Sequence, residues 1–265
     1  MELNVKEFYW AVNHVSVGSV FDYIQMLISP TKVKSSLSTN TRSLTTILNF
    51  ENKFLNGIRD NEIIELNFHQ PNIEVLPHLK LFDSEVLSCE LTKGKMHQVI
   101  KMNVKEAGSK KSANWNLAEA IPTKIHNNPQ LANNQYFAEV NVDEEFSKQI
   151  QALRKIAFNT GKIYFTTNKK VLSIETGDRS QKFINTFQIE LQEFDIPNGE
   201  LSTNYDNIAI CLDAQIFMSI MNQLDIEKEF KCKLAYKVSK RIGMLCVVDK
   251  DATETYLMPQ IIENS

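Results

Sequence analysis

"QYFAEVNVDEEFSKQIQALRKIAFNTG" (residues 135–161) is the stretch on which the fold turns. Its first eight residues read as a strand; from Asp143 the period changes. Phe146, Ile150, Leu153 and Ala157 then fall on one face at helical spacing. Acids open this helix, bases stand in its last turn and Gly161 follows its end, an order that suits the helix dipole and a glycine stop. Alternating runs come next: "KIYFTTN", "KKVLSIETGD" and "QKFINTFQIELQEF", with Asn168-Lys169 and Gly177-Asp178 as turn steps. "NIAICLD" is another strand, and it runs straight into a second helix, "AQIFMSIMNQLD" (residues 214–225), striped by Ile216, Phe217, Ile220 and Leu224. "FKCKLAYKV", "GMLCVVD" and "ATETYLM" close the chain as three strands. The expected order is strand, helix, several strands, helix, several strands.

The first half repeats this order. "NVKEFYWAVNHVS" (residues 4–16) reads as a helix with Phe8, Ala11, Val12 and Val15 on one face, and Asn4 and Glu7 are spaced as a capping box. Strand-like runs follow at "FDYIQMLI", "KVKSSLS" and "SLTTILNF". The spacing suggests a short helix over residues 50–58, although Gly57 weakens it. "EIIELNF", "SEVLSCEL" and "HQVIKMNV" then read as strands. Residues 105–134 are polar and asparagine-rich, carry two prolines, and are long for a turn within a domain. The expected organisation is a first α+β domain at 1–104, a connector at 105–134 and a second domain at 135–265, each mostly antiparallel strands with two helices.

Composition removes several classes of function. At 265 residues, with 43% hydrophobic and 23% charged residues, the chain is globular and long enough for two cores. Its net charge of −3 means that any nucleic-acid surface must be local. Cys89, Cys211, Cys232 and Cys246 are too far apart for a paired zinc motif and lie in apolar or alternating runs, as buried thiols of a reducing cytosol do. No run approaches the roughly 20 apolar residues of a membrane span, and the N-terminus has no secretory-signal pattern. The five histidines, His14, His69, His78, His97 and His126, have no partner at metal-ligand spacing and read as surface or edge residues. Nucleophile-elbow, phosphate-loop and dinucleotide motifs are absent. No metal, cofactor or catalytic residue is expected.

The helix faces opposite the apolar stripes are more informative. Lys148 and Lys155, seven residues apart, nearly align on the helix after Asp143, with Arg154 beside them. The first helix turns Lys6, Trp10 and Asn13 away from its stripe, and the segment at 50–58 does the same with Lys53 and Asn56. The helix at 214–225 presents Gln215, Ser219, Asn222 and Gln223. Any one such face is ordinary solvated surface. Four basic or neutral faces in an acidic chain suit a sequence-independent phosphate surface. No arginine cluster or aromatic stripe suggests base readout.

Two helices per domain, mostly strands, and domains in tandem: the chain resembles the DNA sliding clamps, the processivity-factor family that includes proliferating cell nuclear antigen and the tailed-phage clamps. "YFAEVNVDEEFSKQIQALRKIA" resembles the strand and helix that open a clamp domain, "KKVLSIETGDRSQKFINTFQIEL" the hairpin that reaches a domain edge, "NIAICLDAQIFMSIMNQL" the strand feeding the second helix, and "GMLCVVDKDATETYLMPQII" the C-terminal hairpin with its Leu-x-Pro-like step. The resemblance implies a non-catalytic ring, a homotrimer at two domains per chain, that encircles duplex DNA and tethers a replicative polymerase in the cytoplasm (a bacterial host's, for a phage protein). Lys6, Lys53, Lys148, Arg154 and Lys155 would line the channel. A polymerase and a clamp loader would dock through short peptides in a groove of Leu257, Met258, Pro259 and Ile261, walled by Trp115 or Leu117 of the connector. Subunits would join through Lys182, Ile184 and Phe187 of one chain and His97, Val99 and Lys101 of the next. The rival readings are an open monomeric or dimeric processivity factor, a β-rich virion structural protein and, third, an enzyme with dispersed catalytic residues.

Overall fold

In the computed structural model, which describes residues 1–94, 98–118, 136–168, 171–177, 187–193, 208–237 and 242–261, each of the three longer helices starts at a short polar side chain. Asn4 accepts the Glu7 N–H at 3.0 Å, Asp143 that of Phe146 at 2.8 Å and Asp213 that of Ile216 at 2.9 Å. Each bond satisfies one amide that the first helical turn leaves without a partner. Gly161 ends the middle helix in the left-handed conformation, φ 70°, and donates to Ala157 O.

The chain divides into two units, one of residues 1–37 and 47–127, the other of 38–46 and 128–265. The first contains, but for Ser38, Thr45 and Thr46, β1 (Glu2–Asn4), α1 (Val5–Val15), β2 (Tyr23–Ile28), β3 (Lys32–Ser38), β4 (Thr45–Glu51), β5 (Leu55–Asn56), β6 (Ile64–His69), α2 (Pro71–Glu74), α3 (Leu76–Leu79), β7 (Val86–Lys93), β8 (Val99–Lys105) and β9 (Ser112–Asn116). Its strands run β5-β1-β7-β8-β9 in one sheet and β4-β3-β2-β6 in the other. The second contains β10 (Tyr136–Asn141), α4 (Glu144–Thr160), β11 (Lys162–Asn168), β12 (Val171–Thr176), β13 (Phe187–Glu193), β14 (Ala209–Asp213), α5 (Ala214–Met221), β15 (Lys231–Lys237), β16 (Ile242–Val248) and β17 (Glu254–Pro259). These run β10-β15-β16-β17 and β13-β12-β11-β14. With β5 set aside and α2 and α3 taken as one interrupted helix, the two halves match element for element and neighbour for neighbour.

In β2 and β3 alternation sets one buried face against one wetter face. Val33, Ser35 and Leu37 of β3 and Ile24, Met26 and Ile28 of β2 point inward. In the first unit Phe8 meets Phe54 at 5.2 Å and Phe68 at 6.0 Å between ring centroids. In the second, the expected stripe of Phe146, Ile150, Leu153 and Ala157 is buried, and Phe165 meets Phe217 edge-on at 5.4 Å. All four cysteines are buried free thiols, and burial pushes that of Cys89 up to about 11.

Three local expectations need correction. Residues 50–58 are not a helix. Asn52 folds them into a turn between β4 and β5, its Oδ1 accepting the amides of Phe54 (3.3 Å) and Leu55 (3.1 Å) and its Nδ2 donating to Leu55 O (3.0 Å). Gly57 follows at φ 88°. The second helical segment of this unit is instead Pro71–Leu79, broken in two where Pro77 supplies no amide. The segment 105–134 begins inside the sheet, since Lys105 ends β8 and residues 112–116 form β9; residues 119–134 lie outside the described residues.

Candidate nucleic-acid interface

On α4, Lys148, Gln151, Arg154, Lys155 and Phe158 are exposed. Arg154 and Lys155 precede the last turn rather than lying in it, because the helix continues to Thr160. Lys148 pairs with Glu144 at 2.8 Å, both side chains more than 70% exposed. Such a pair is weak and exchangeable. The Arg154 guanidinium lies 5.6 Å from the centre of the Phe158 ring. Helix α5 packs beside α4, and Gln151 Nε2 donates to Asn222 Oδ1 at 2.8 Å. The outer surface of this helix pair carries cations and amides, with its acids confined to the first turn of α4.

On α1, Lys6 and Trp10 are exposed one turn apart and Asn13 is half-buried. His14, expected at the surface, is 2% exposed: Trp10 stacks on it at 4.6 Å and 14°, and Phe50 meets both rings edge-on. Lys80, at the end of α3, reaches over the Tyr9 ring of α1 at 5.4 Å. It is exposed, and reading residues 70–80 as helical would have found it. Lys53 leaves the set predicted from helix faces, because it lies in the β4–β5 turn and pairs with Glu51 at 3.2 Å.

The expected partner groove is largely core. Met258 is 1% exposed and Leu257 5%, since both faces of β17 are covered. Trp115 is 4% exposed beneath α2 and α3, its Nε1 donating to Glu74 O (3.1 Å) and to His78 Nδ1 (3.2 Å), and Leu117 is buried beside it in sequence. Pro259 is exposed and Ile261 half-buried. The chain remains hydrogen-bonded past Pro259, as far as Ile261. Gln260 N donates to Gly243 O (2.9 Å), Gln260 Oε1 accepts from Gly243 N (2.8 Å), and Ile261 N donates to Cys211 O on β14 (2.8 Å). A Cβ on Gly243 would stand 2.6 Å from Ile210 Cγ1 of β14 and 3.0 Å from Gln260 Oε1, so glycine admits both neighbours.

The strand expected at the subunit joint is also interior. Strand β8 is bonded to β7 on one side and β9 on the other, which uses its backbone groups on both edges; Val99 is fully buried and Lys101 exposed. His97, Lys182 and Ile184 lie outside the described residues, as does the Phe187 side chain. The outer strand of that sheet is β9. Glu106 N donates to Lys111 O (3.1 Å) and Leu117 N to Ile100 O (2.9 Å). With Val104 opposite Ala113 and Met102 opposite Trp115, the alternation of an antiparallel ladder turns the backbone groups of Ala113 and Trp115 toward β8. Those of Ser112, Asn114 and Asn116 point outward. In the other unit β13 is the outer strand, paired on one side with β12. Among the described residues, neither outer edge carries a further strand.

Glu106, where the turn into β9 begins, ties that turn to the segment before β7. Its buried carboxylate accepts the amides of Ser84 (2.7 Å) and Asp83 (2.9 Å), and these hydrogen bonds, Ser84's foremost, hold it down from 4.5 to about 2. A carboxyl depressed by folding adds stability that is complete above its unfolded value and is lost as the pH falls through its folded one. The thermal stability of the wild type should therefore fall as the pH drops from about 4.5 to 2, and Glu106→Gln should be less stable above that window and less pH-sensitive within it.

Among the described residues, no group of three or more histidine, cysteine, aspartate or glutamate side chains is placed to hold a metal, and no helix is long and apolar enough to cross a membrane. No family model and no curated protein matches the sequence. Solved structures do match over the whole chain. PCNA from A. fulgidus, solved with the C-terminal region of FEN-1 bound, is 14% identical; the match covers 100% of this chain and 98% of that one, with a TM-score of 0.61. A chain of the PCNA2–PCNA3 complex from Sulfolobus tokodaii is 9% identical over 99% of this chain and 100% of its own, at 0.61. The DNA polymerase III beta chain of Streptococcus pneumoniae is 11% identical over 99% of this chain and 64% of its own, at 0.62. The chain has the α+β fold of the DNA sliding clamps.

Proposed function

We propose that this chain is a sliding clamp: a ring of three copies that encircles duplex DNA without reading its sequence and tethers a replicative polymerase. The observation that carries this reading is the combination of the clamp fold with cationic and amide outer faces on α1 and on the α4–α5 pair, in a chain of net charge −3. The role is non-catalytic. Lys6, Lys148, Arg154 and Lys155 supply mobile phosphate contacts, which need no fixed geometry, and retention is topological. Copies join head to tail, the free edge of β9 on one pairing with that of β13 on the next, because unpaired strand edges seek a partner and a rotation that returns on itself closes a ring.

Partner proteins dock through short peptides with apolar anchors. Support comes from the A. fulgidus clamp, solved with the C-terminal region of FEN-1 bound. On this chain the surface around Pro259 and Ile261 is the candidate. The test is whether the protein stays on circular DNA and is released when the circle is cut.

A further inference from the structure

Two large aromatic side chains stand exposed on the outer faces of α1 and α4, and phosphate contacts explain neither. Trp10 is 44% exposed and Phe158 42%. Each has a cation four residues earlier on the same helix, Lys6 before Trp10 and Arg154 before Phe158. Residues at that spacing are neighbours on one helical face. The same basic–aromatic pair thus occurs once in each unit, on the helix with the cationic outer face.

The rings are not loose. Trp10 lies against the His14 ring on one side and meets Phe50 edge-on, which leaves the rest of the indole outward. Arg154 sits over Phe158. A held ring with a neighbouring cation is a stacking platform: the base stacks on the ring and the cation takes the phosphate. Intact duplex offers such a ring little, because its base faces are already stacked on one another. Unpaired bases offer a free face.

From this we infer that Lys6–Trp10 and Arg154–Phe158 form two stacking sites for unpaired bases, so that the protein holds DNA at a junction between duplex and single strand more tightly than blunt duplex. The inference rests on the DNA-encircling reading above and extends it to the structure of the DNA held. The flanking bases are not strand-specific, and stacking tolerates any base.

The experiment compares two labelled oligonucleotides, a hairpin with a single-stranded arm and a blunt duplex of equal charge, at low salt with the full-length protein. Wild type should prefer the hairpin. Phe158→Ala, at an exposed position, should weaken hairpin binding by roughly tenfold and leave blunt-duplex binding unchanged, as expected for the loss of one stacked base. Trp10→Ala should do the same, and Trp10→Phe should restore most of it. Fluorescence supplies an independent reading. The hairpin should quench Trp10, whereas Trp115, buried and hydrogen-bonded, should not respond in the Trp10→Phe chain. Equal wild-type affinity for both DNAs, or variants that match wild type on the hairpin, would overturn the stacking sites while leaving the duplex surface standing. Binding to neither DNA would overturn both.

Discussion

Reversing Lys148, Arg154 and Lys155 to glutamate should abolish measurable binding to duplex DNA at physiological salt and leave the protein folded. All three side chains are exposed on one helix, and each reversal replaces an attraction for phosphate by a repulsion. Loss of a phosphate contact lowers the dependence of log affinity on log salt by about one per contact, so single reversals should flatten that slope stepwise before binding disappears. Stability is a separate matter. Exposed substitutions of this kind cost under about 0.5 kcal/mol each, and the Lys148–Glu144 pair is solvated on both sides and adds little to stability. Fluorescence anisotropy reads the binding and calorimetry the unfolding. Wild-type affinity in the triple variant would remove α4 from the DNA surface. A large fall in unfolding temperature would mean that these side chains hold the unit together.

Asn114→Pro should yield a folded chain that does not form the proposed ring. The amide of Asn114 points away from β8, so proline removes nothing from the ladder within the chain. It does remove a donor from the outward edge at the middle of a five-residue strand. A joint built on so short an edge cannot lose its central donor and keep its register. The wild type should have three times the chain mass of 30.4 kDa in solution, and the variant that of one chain. The neighbouring Ala113→Pro should act in the opposite way, because its amide faces β8 and its loss weakens the first unit itself. A variant at Asn114 that keeps the wild-type mass would place the joint elsewhere. A wild type with the mass of one or two chains would favour an open processivity factor.

The parts of the fold that the sequence made legible are those fixed by local chemistry. Asn4, Asp143 and Asp213 stand before apolar stripes and cap the helices that those stripes define. Most alternating runs of the second half became strands to within two residues; the start of the run at 181–194 lies outside the described residues, which take up β13 at Phe187. Tertiary context decided the rest. Residues 50–58 have helical spacing, but the Asn52 side chain captures two amides and turns the chain. Residues 71–79 lack a continuous pattern because Pro77 interrupts them. Met258 and Trp115 were expected at a surface because a strand end and a polar segment lie there in the sequence. Both are buried, since β17 is covered on both faces and β9 carries its tryptophan under α2 and α3. Alternation cannot indicate a second covered face. The short polar run "SANWN" looked like linker, and its one large apolar residue was the sign that it belonged to a sheet.

Cation positions on α1 and α4 were legible because helical periodicity alone sets them, and Lys53 failed where the helix did. Lys80 was missed along with the segment that carries it.

The most direct measurement is retention of the protein on a nicked circular DNA during gel filtration, before and after the circle is cut once. A sliding clamp should travel with the circle at a salt concentration that defeats simple phosphate binding, and should run off once free ends exist. Equal retention on circular and cut DNA would show ordinary electrostatic binding, and no retention on the circle would deny that a ring closes on DNA; either result would contradict the account.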